Sequence, residues 1–129
     1  MALVTISAKC YPTEDPAKVE RAVLNLFPGS EVERSADAIL AKNGRLERFK
    51  ELIRNYRILD ATRKVMVKGI SGNMTRFTVN KQAALAGKVS FLDDKVALGG
   101  IHVAIEDEDL DALIDEVAPV TINGEEVPR

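Results

Sequence analysis

The stretch from Arg45 to Lys68 constrains the fold most, because it holds 24 residues without a glycine or a proline. Its apolar side chains recur at helical spacing throughout, which predicts helix over the whole segment. A single helix of that length would extend about 36 Å at 1.5 Å per residue, which is long for a chain of 129 residues. We therefore expect two helices, or a kink near Arg57. Gly69 and Gly72 should close the segment.

Segments with strand or helix periodicity lie on both sides of this stretch. Residues 3–10 alternate apolar and polar side chains and predict a strand. Asp15-Pro16 then begins a helix that runs to about Phe27. The next pattern predicts a strand within 31–41 leading to a turn at 43–44. After the long helical segment, we expect a strand over 74–80, a helical turn or structured loop over 80–87, a strand over 89–92, and a strand over 96–106 that is interrupted at Gly99-Gly100. A helix from about 108 to 117 and a weak strand or tail over 120–129 should follow.

The order of these elements is β-α-β-α(α)-β-β-β-α. It contains no regular βαβ repetition and no glycine-rich phosphate loop after a strand. This order favours an α+β fold in which helices pack on one face of a mainly antiparallel (mixed) sheet. Neither an internal repeat nor a linker interrupts the sequence, so we expect residues 1–129 to form a single domain.

Composition adds expectations about the compartment in which the chain works. The sequence has no run of 18 apolar residues, so no membrane span is predicted. The N-terminus lacks the basic start and apolar stretch of a signal peptide. Cys10 is the only cysteine, which excludes an internal disulfide and fits a reducing, cytoplasmic compartment.

Charge is strongly segregated along the chain, although the formal net charge is only −2. Residues 42–88 carry 12 basic and 3 acidic side chains, for a net charge of +9. Residues 89–129 carry 2 basic and 11 acidic side chains, for a net charge of −9. Such asymmetry indicates an anionic partner for the middle of the chain. The alternative is that the two regions neutralise each other across the fold.

Side chains able to carry catalysis or bind a metal are few. The sequence has no Walker loop, dinucleotide fingerprint, zinc-ligand spacing or nucleophile elbow. His102 is the only histidine, and its place in an alternating segment predicts a solvent-facing strand residue. Asp93 and Asp94 are better explained as a turn between strands than as an enzyme's carboxylate or magnesium site. We therefore predict no enzymatic activity, no metal and no cofactor.

The basic stretch is the strongest candidate for a binding surface. Arginine suits phosphate through bidentate hydrogen bonds. Arg45 and Arg48 flank the apolar stripe of the long helical segment, and Arg54 and Arg57 continue the positive charge along it. Aromatic side chains are scarce, which argues against readers that stack bases. Recognition of the backbone or shape of structured RNA would need only the charge.

Four segments together resemble a family of uncharacterised archaeal proteins, which are described as predicted RNA-binding proteins or predicted exosome subunits. The resemblance covers most of residues 3–106 and implies an α+β fold like that of the large-subunit ribosomal protein that binds 5S RNA. The segments are Thr13-Glu14-Asp15, residues 57–63, Asn80-Lys81-Gln82-Ala83-Ala84 with residues 87–91, and residues 98–103.

The resemblance adds Lys81 and Gln82, the polar members of its most specific block, as candidates for contact with a partner. The candidate RNA-binding residues are therefore Arg45, Arg48, Arg54, Arg57, Arg63, Lys81, Gln82 and Lys88. Arg63 and Asp60 could instead pair with each other.

The expected partners are RNA, an RNA-processing complex, and a second copy in a symmetric homodimer, because an exposed sheet edge invites pairing. The alternative function is a protein-interaction or homodimerisation domain without nucleic-acid binding. In that case, the basic surface of one subunit would meet the acidic C-terminal region of another.

Overall fold

The computed structural model describes residues 2–92, 99–122 and 125–126, and within them five helices pack on one face of a six-stranded sheet. This arrangement confirms the α+β prediction. No described helix is both long and apolar enough to cross a membrane. In chain order the elements are β1 Leu3–Lys9, α1 Pro16–Leu26, β2 Glu31–Arg34, β3 Ala38–Lys42, α2 Glu47–Asn55, α3 Leu59–Lys68, β4 Ile70–Ser71, β5 Met74–Val79, α4 Lys81–Leu85, β6 Ile101–Glu106, α5 Leu110–Val117, β7 Thr121–Ile122 and β8 Glu125–Glu126.

The sheet has the strand order β2-β3-β1-β6-β5-β4, and every described pairing in it is antiparallel. The short strands β7 and β8 form a separate hairpin. Because side chains alternate along a strand, Val4, Ile6 and Ala8 of β1 are buried towards the helices. The intervening side chains form a second face without a helix on it, which we call the open face.

Three stacked phenylalanines mark the centre of the core between the sheet and the helices. The ring centroids of Phe27 and Phe49 are 5.3 Å apart, and those of Phe49 and Phe77 are 5.7 Å apart. These rings join α1, α2 and β5. Burying them in offset contact fixes the angle at which the helices cross the sheet.

The long helical segment is divided as predicted. Helix α2 ends at Asn55, α3 begins at Leu59, and Arg57 between them has a left-handed φ of 55°. The N–H of Ile58 donates to the carbonyl of Ile53 at 3.0 Å, which satisfies one of the free carbonyls at the end of α2.

The single strand expected within 31–41 was only partly right, since β3 does lead to residues 43 and 44. The structure has two paired strands there, β2 and β3, joined by a tight turn. The N–H of Ser35 donates to the carbonyl of Ala38 at 2.9 Å, and the Ser35 hydroxyl donates to the same carbonyl at 3.3 Å. Serine and aspartate favour such local bonds, so the sequence Ser35-Ala36-Asp37 forms a turn.

The strand expected over 89–92 was partly wrong, because only Phe91 makes a bridge there, opposite Val79. The strand expected over 96–106 is confirmed after its interruption at Gly99-Gly100, as β6 from Ile101 to Glu106. Residues 93–98 lie outside the described residues. The sequence did not decide between a helical turn and a structured loop for residues 80–87. The structure has the helix α4 there.

Candidate nucleic-acid interface

The block that carries the family resemblance folds as a short helix docked against α1. Asn80 caps α4 by accepting from the N–H of Ala83 at 2.9 Å. At the other end, Asn25 of α1 donates through Nδ2 to the carbonyls of Ala84 and Leu85, each at 3.0 Å. These bonds satisfy carbonyls that a helix leaves free at its C-terminus. The seam between α1 and α4 is therefore fixed at both ends.

Lys81, the first residue of α4, is committed to contacts within the molecule. Its Nζ lies 2.7 Å from the carbonyl oxygen of Lys9 and 2.9 and 3.1 Å from the two carboxylate oxygens of Glu14. The same Nζ lies 5.3 Å from the centroid of the Tyr11 ring. The Lys81 side chain is only 10% exposed. The Lys81 side chain therefore links residues 80–84 to residues 13–15, which are two of the segments that carry the family resemblance.

The environment of Glu14 favours its ionised form. Burial by itself would raise the pKa of Glu14. The hydrogen bonds from Lys81 Nζ and from the backbone N–H of Tyr11, at 3.1 Å, outweigh that burial. The pKa of Glu14 consequently lies below its ordinary value, and Glu14 and Lys81 form an ion pair at neutral pH.

Two depressions lie along the α1–α4 seam and share Leu85 in their walls. The first has a volume of about 270 Å³ and contains Glu14 and Asp15. The second, which we call the seam groove, has a volume of about 460 Å³, and none of the described residues that line it is acidic. The seam groove is lined by Leu24, Asn25, Pro28, Arg48, Leu85, Ala86 and Gly87.

One cation lines the seam groove and two more lie next to it. Arg48 of α2 is the lining cation, and Lys88 follows the lining residue Gly87. Arg45 lies beside Gly29, the residue after the lining residue Pro28, because a Cβ placed on Gly29 would lie 3.2 Å from Arg45 Nε. Arg45 itself lines a neighbouring depression that also contains Glu47, Asp107 and Glu116. The seam groove thus combines positive charge with the C-terminal end of α4 and the turn that follows it.

Three other central cations contact the end of α5. Arg63 donates to the Asp115 carboxylate at 2.7 Å and to the carbonyl of Ala118 at 3.1 Å. Arg54 donates to the carbonyls of Glu116 and Val117 at 3.2 and 3.3 Å. Lys50 pairs with the Glu116 carboxylate at 2.9 Å. The negative end of a helix and its acidic side chains thus neutralise part of the basic stretch.

The expected alternative of an Arg63–Asp60 pair was wrong. Arg63 pairs with Asp115, whereas Asp60 accepts a hydrogen bond from the hydroxyl of Thr121. Both partners come from the C-terminal part of the chain. Spacing within one helix could not reveal them, since each contact spans more than 50 positions.

The structure separates the predicted RNA-binding residues into groups. Arg48 lines the seam groove and Arg45 and Lys88 lie next to it, whereas Arg57 lies in the turn between α2 and α3. Gln82 is exposed beside the acidic depression. The remaining three, Arg54, Arg63 and Lys81, have the intramolecular contacts described above, and contact with RNA stays a prediction for all eight.

Asn25 is the residue of the site that sequence reasoning missed. It follows Ala22 by three positions, and Lys18 by seven, on the stripe of α1 that faces α4. A polar side chain on a stripe that packs against another helix signals a partner for that helix's free backbone groups. That spacing was the available clue.

The residues considered for catalysis gain no catalytic arrangement from the described part of the fold. His102 is half-buried on the open face, with Nδ1 at 3.1 Å from the Thr78 hydroxyl oxygen. Asp93 and Asp94 lie outside the described residues. Among the residues that are described, no group of three histidine, cysteine or acidic side chains could hold a metal ion.

Comparison with known proteins gives one consistent result. Residues 3–107 match the family model described as RNA binding. The UPF0201 protein of Methanocaldococcus jannaschii is 43% identical over 94% of this chain and 75% of that protein. The UPF0201 protein of Methanothermobacter thermautotrophicus is 41% identical over 92% of each. A crystal structure of a Methanococcus jannaschii UPF0201 protein superposes with a TM-score of 0.87 at 40% identity, covering 98% of this chain and 99% of that one.

Proposed function

The chain belongs to the UPF0201 family of archaeal proteins, and from that premise we propose that it is a non-enzymatic module that binds structured RNA at the seam groove. Arg45, Arg48 and Lys88 contact the phosphate backbone in this proposal. The observation that carries it is the position of Arg48 in a groove with no acidic lining residue among those described, with the exposed Arg45 and Lys88 next to lining residues. The family's description as RNA binding supports the choice of anion.

The strength of the existing contacts decides which cations are available to phosphate. Arg48 pairs with Glu51 at 2.6 Å, but both side chains are about half exposed, and such surface pairs contribute about 0–1 kcal/mol. A phosphate can displace that contact at little cost. For the side chains of Arg45 and Lys88, the described residues provide no hydrogen-bond or ion-pair partner. Arg63 and Lys81 would instead each have to give up several bonds made by a better-buried side chain.

The form of the seam groove favours the RNA backbone over the bases. None of its described lining residues is aromatic, so it offers no platform on which a base could stack. Arginine and lysine side chains around a shallow groove fit the phosphates of a folded RNA, whose shape positions them in space. Helix α1, which forms one wall, is about 16 Å long at 1.5 Å per residue.

The decisive experiment compares two triple variants that remove the same charge from different surfaces. The test variant replaces Arg45, Arg48 and Lys88 by glutamine. The matched control replaces Arg57, Lys64 and Lys68, which are exposed on α3 and the turn before it. Binding to structured and to single-stranded RNA is measured by fluorescence anisotropy at several salt concentrations.

The test variant should bind more weakly and with a shallower salt dependence. Each phosphate contact adds about 0.7 to the slope of log affinity against log salt for a single strand and about 0.9 for a B-form duplex. Loss of all three contacts should therefore lower the slope by about 2 to 3, while the control keeps it. An equal loss in both variants would show that only overall charge matters and would remove the seam groove as the site.

The family block provides a second, independent comparison. We expect Gln82→Ala to change RNA affinity little, because Gln82 lies beside the acidic depression and not in the seam groove. Lys81→Met should act on stability and leave the salt slope unchanged. A lower slope in Lys81→Met would mean that Lys81 leaves Glu14 to contact RNA, which contradicts the intramolecular role.

A further inference from the structure

The open face carries two straight rows of side chains, each crossing five strands. The strand register aligns the first row as Glu31, Lys42, Thr5, Ala104 and Arg76, from β2 to β5. The second row is Glu33, Leu40, Ser7, His102 and Thr78 in the same direction. Acidic side chains therefore lie at the β2 side, and an arginine lies at the β5 side.

The centre of the open face is small, mildly apolar and accessible. Leu3 and Leu40 are 44% and 42% exposed, although both are large apolar side chains. Around them lie hydroxyl side chains, Ala104 and Glu106, and the face contains two depressions of about 390 and 400 Å³. None of the described helices covers this face. Sheets pack face to face at about 10 Å, with their strands rotated by about 30°.

The edges of the sheet are less suited to self-association. Strand β2 is an edge of four residues, three of which are charged, and β4 has only two residues. Short, charged edges are a recognised means of preventing strand pairing between molecules. The surface for a second copy is therefore better sought on the open face than at the edges.

We propose that two copies of the chain pack through their open faces around a two-fold axis that runs along β1. Rotation by 180° about this axis places each row opposite the same row of the partner in reverse order. Glu31 of one copy therefore faces Arg76 of the other, and Lys42 faces Ala104. In the second row, Leu40 faces His102, and Ser7 faces its own counterpart. Within one chain, four strand spacings, or about 19 Å, separate Glu31 from Arg76, so only a second copy can join them.

The charges favour this axis, which alone places Glu31 opposite Arg76, and they disfavour two other two-fold arrangements. A two-fold axis perpendicular to the strands would place Glu31 of one copy opposite Glu33 of the other. A two-fold axis parallel to the strands, but between β1 and β6, would place Lys42 of one copy opposite Arg76 of the other. Both arrangements oppose like charges, which favours neither. Glu31 already accepts a hydrogen bond from Asn43 at 3.0 Å through one oxygen, and its other oxygen can accept from the partner's Arg76.

The area of the open face indicates a reversible dimer. Five strands about 4.8 Å apart and strands of five to seven residues give about 500 Å² for each copy, or about 1,000 Å² in total. That is near the lower limit for specific interfaces. The seam groove lies on the helix side, so both grooves of such a dimer face outward and RNA binding does not depend on the interface.

The test exchanges the two charges that the axis brings together. Glu31→Arg places two arginine side chains opposite each other at both contacts, and Arg76→Glu places two carboxylates there. Each single variant should therefore be monomeric. An equimolar mixture should form heterodimers, because both contacts then join opposite charges, and the double variant Glu31→Arg/Arg76→Glu should dimerise with itself. Mass is measured without RNA by sedimentation velocity over about 10–500 µM, the range for a weak interface.

The outcomes separate this proposal from RNA binding. Circular dichroism checks that each variant is folded, and we expect it to be, since Glu31 and Arg76 are both exposed. A wild-type chain that stays monomeric at the highest concentration overturns the dimer. A dimer that both single variants retain overturns this surface. Neither result affects the seam groove, because none of its residues lies on the open face.

Discussion

Replacing Glu14 by glutamine tests whether the Glu14–Lys81 pair holds α4 in place. Lys81 Nζ makes three hydrogen bonds, two of them to the Glu14 carboxylate. The Glu14 side chain is 29% exposed and that of Lys81 only 10%, so water can reach Glu14 far more easily than Lys81. Neutralising Glu14 therefore leaves an ammonium group that neither the protein nor water fully compensates.

The expected loss is about 2 kcal/mol of unfolding free energy. Breaking a fully buried pair costs about 3–5 kcal/mol, while hydrogen bonds to charged groups contribute about 1.5–3 kcal/mol. We use the range for hydrogen bonds to charged groups, because Glu14 is partly exposed and the glutamine oxygen can still accept one bond from Lys81. For a chain of this size, the loss corresponds to about 8 °C in melting temperature.

Lys81→Met is the matched control, and it should cost only about 1 kcal/mol. It keeps the apolar stem and leaves a carboxylate that water can solvate, so no buried charge loses its compensation. Urea denaturation of both single variants and of the double variant Glu14→Gln/Lys81→Met gives the coupling energy. A larger loss in Lys81→Met than in Glu14→Gln would refute the reasoning, since packing of the lysine stem would then outweigh the uncompensated charge.

The same pair predicts a pH dependence with a definite sign. The pKa of Glu14 is lower in the folded chain than its ordinary value, so ionised Glu14 stabilises the fold. That stabilisation is complete above the ordinary glutamate pKa of about 4.3 and is lost as the pH falls through the folded-state pKa. The difference between wild-type and Glu14→Gln should therefore shrink in acid. A difference that stays constant down to pH 3 would contradict this assignment.

Two further predictions concern contacts elsewhere in the fold. Gly69→Ala should cost about 3 kcal/mol, because a Cβ at Gly69 would lie 1.9 Å from the carbonyl oxygen of Arg76; an unchanged urea midpoint would contradict that approach. Arg63→Ala should cost about 1–2 kcal/mol through its lost bonds to Asp115 and Ala118, whereas Arg57→Ala should cost less than 1 kcal/mol. Equal costs for the two arginines in thermal melts would show that the contacts at the end of α5 contribute nothing.

Periodicity and length carried most of the fold prediction. The division near Arg57 followed from the improbable length of one helix, and the structure places a left-handed residue there. The hairpin of β2 and β3 was missed because its strands are only four and five residues long. Alternation over so few residues does not distinguish two short strands from one longer one. The turn at Ser35 was the missing signal.

The candidate site was harder to predict, because summing charge along the sequence treats all cations alike. Arg48 and Arg54 belong to the same helix, yet Arg48 lies at the seam groove and Arg54 bonds to carbonyls of α5. The contacts that separate them span more than 60 positions. Only the tertiary fold brings these groups together, so no local pattern could have sorted the arginines.

The two interpretations of the charge segregation apply to different ends of the molecule. At the end of α5, acidic side chains and helix carbonyls neutralise Lys50, Arg54 and Arg63. At the seam groove, the described lining residues include no acid, and Arg48 has only the exposed pair with Glu51. Arg45 lies between the two places, because it shares a depression with Glu116 of α5. Under the proposed function, a polyanion would therefore meet more uncompensated positive charge at Arg48 and Lys88 than at the end of α5.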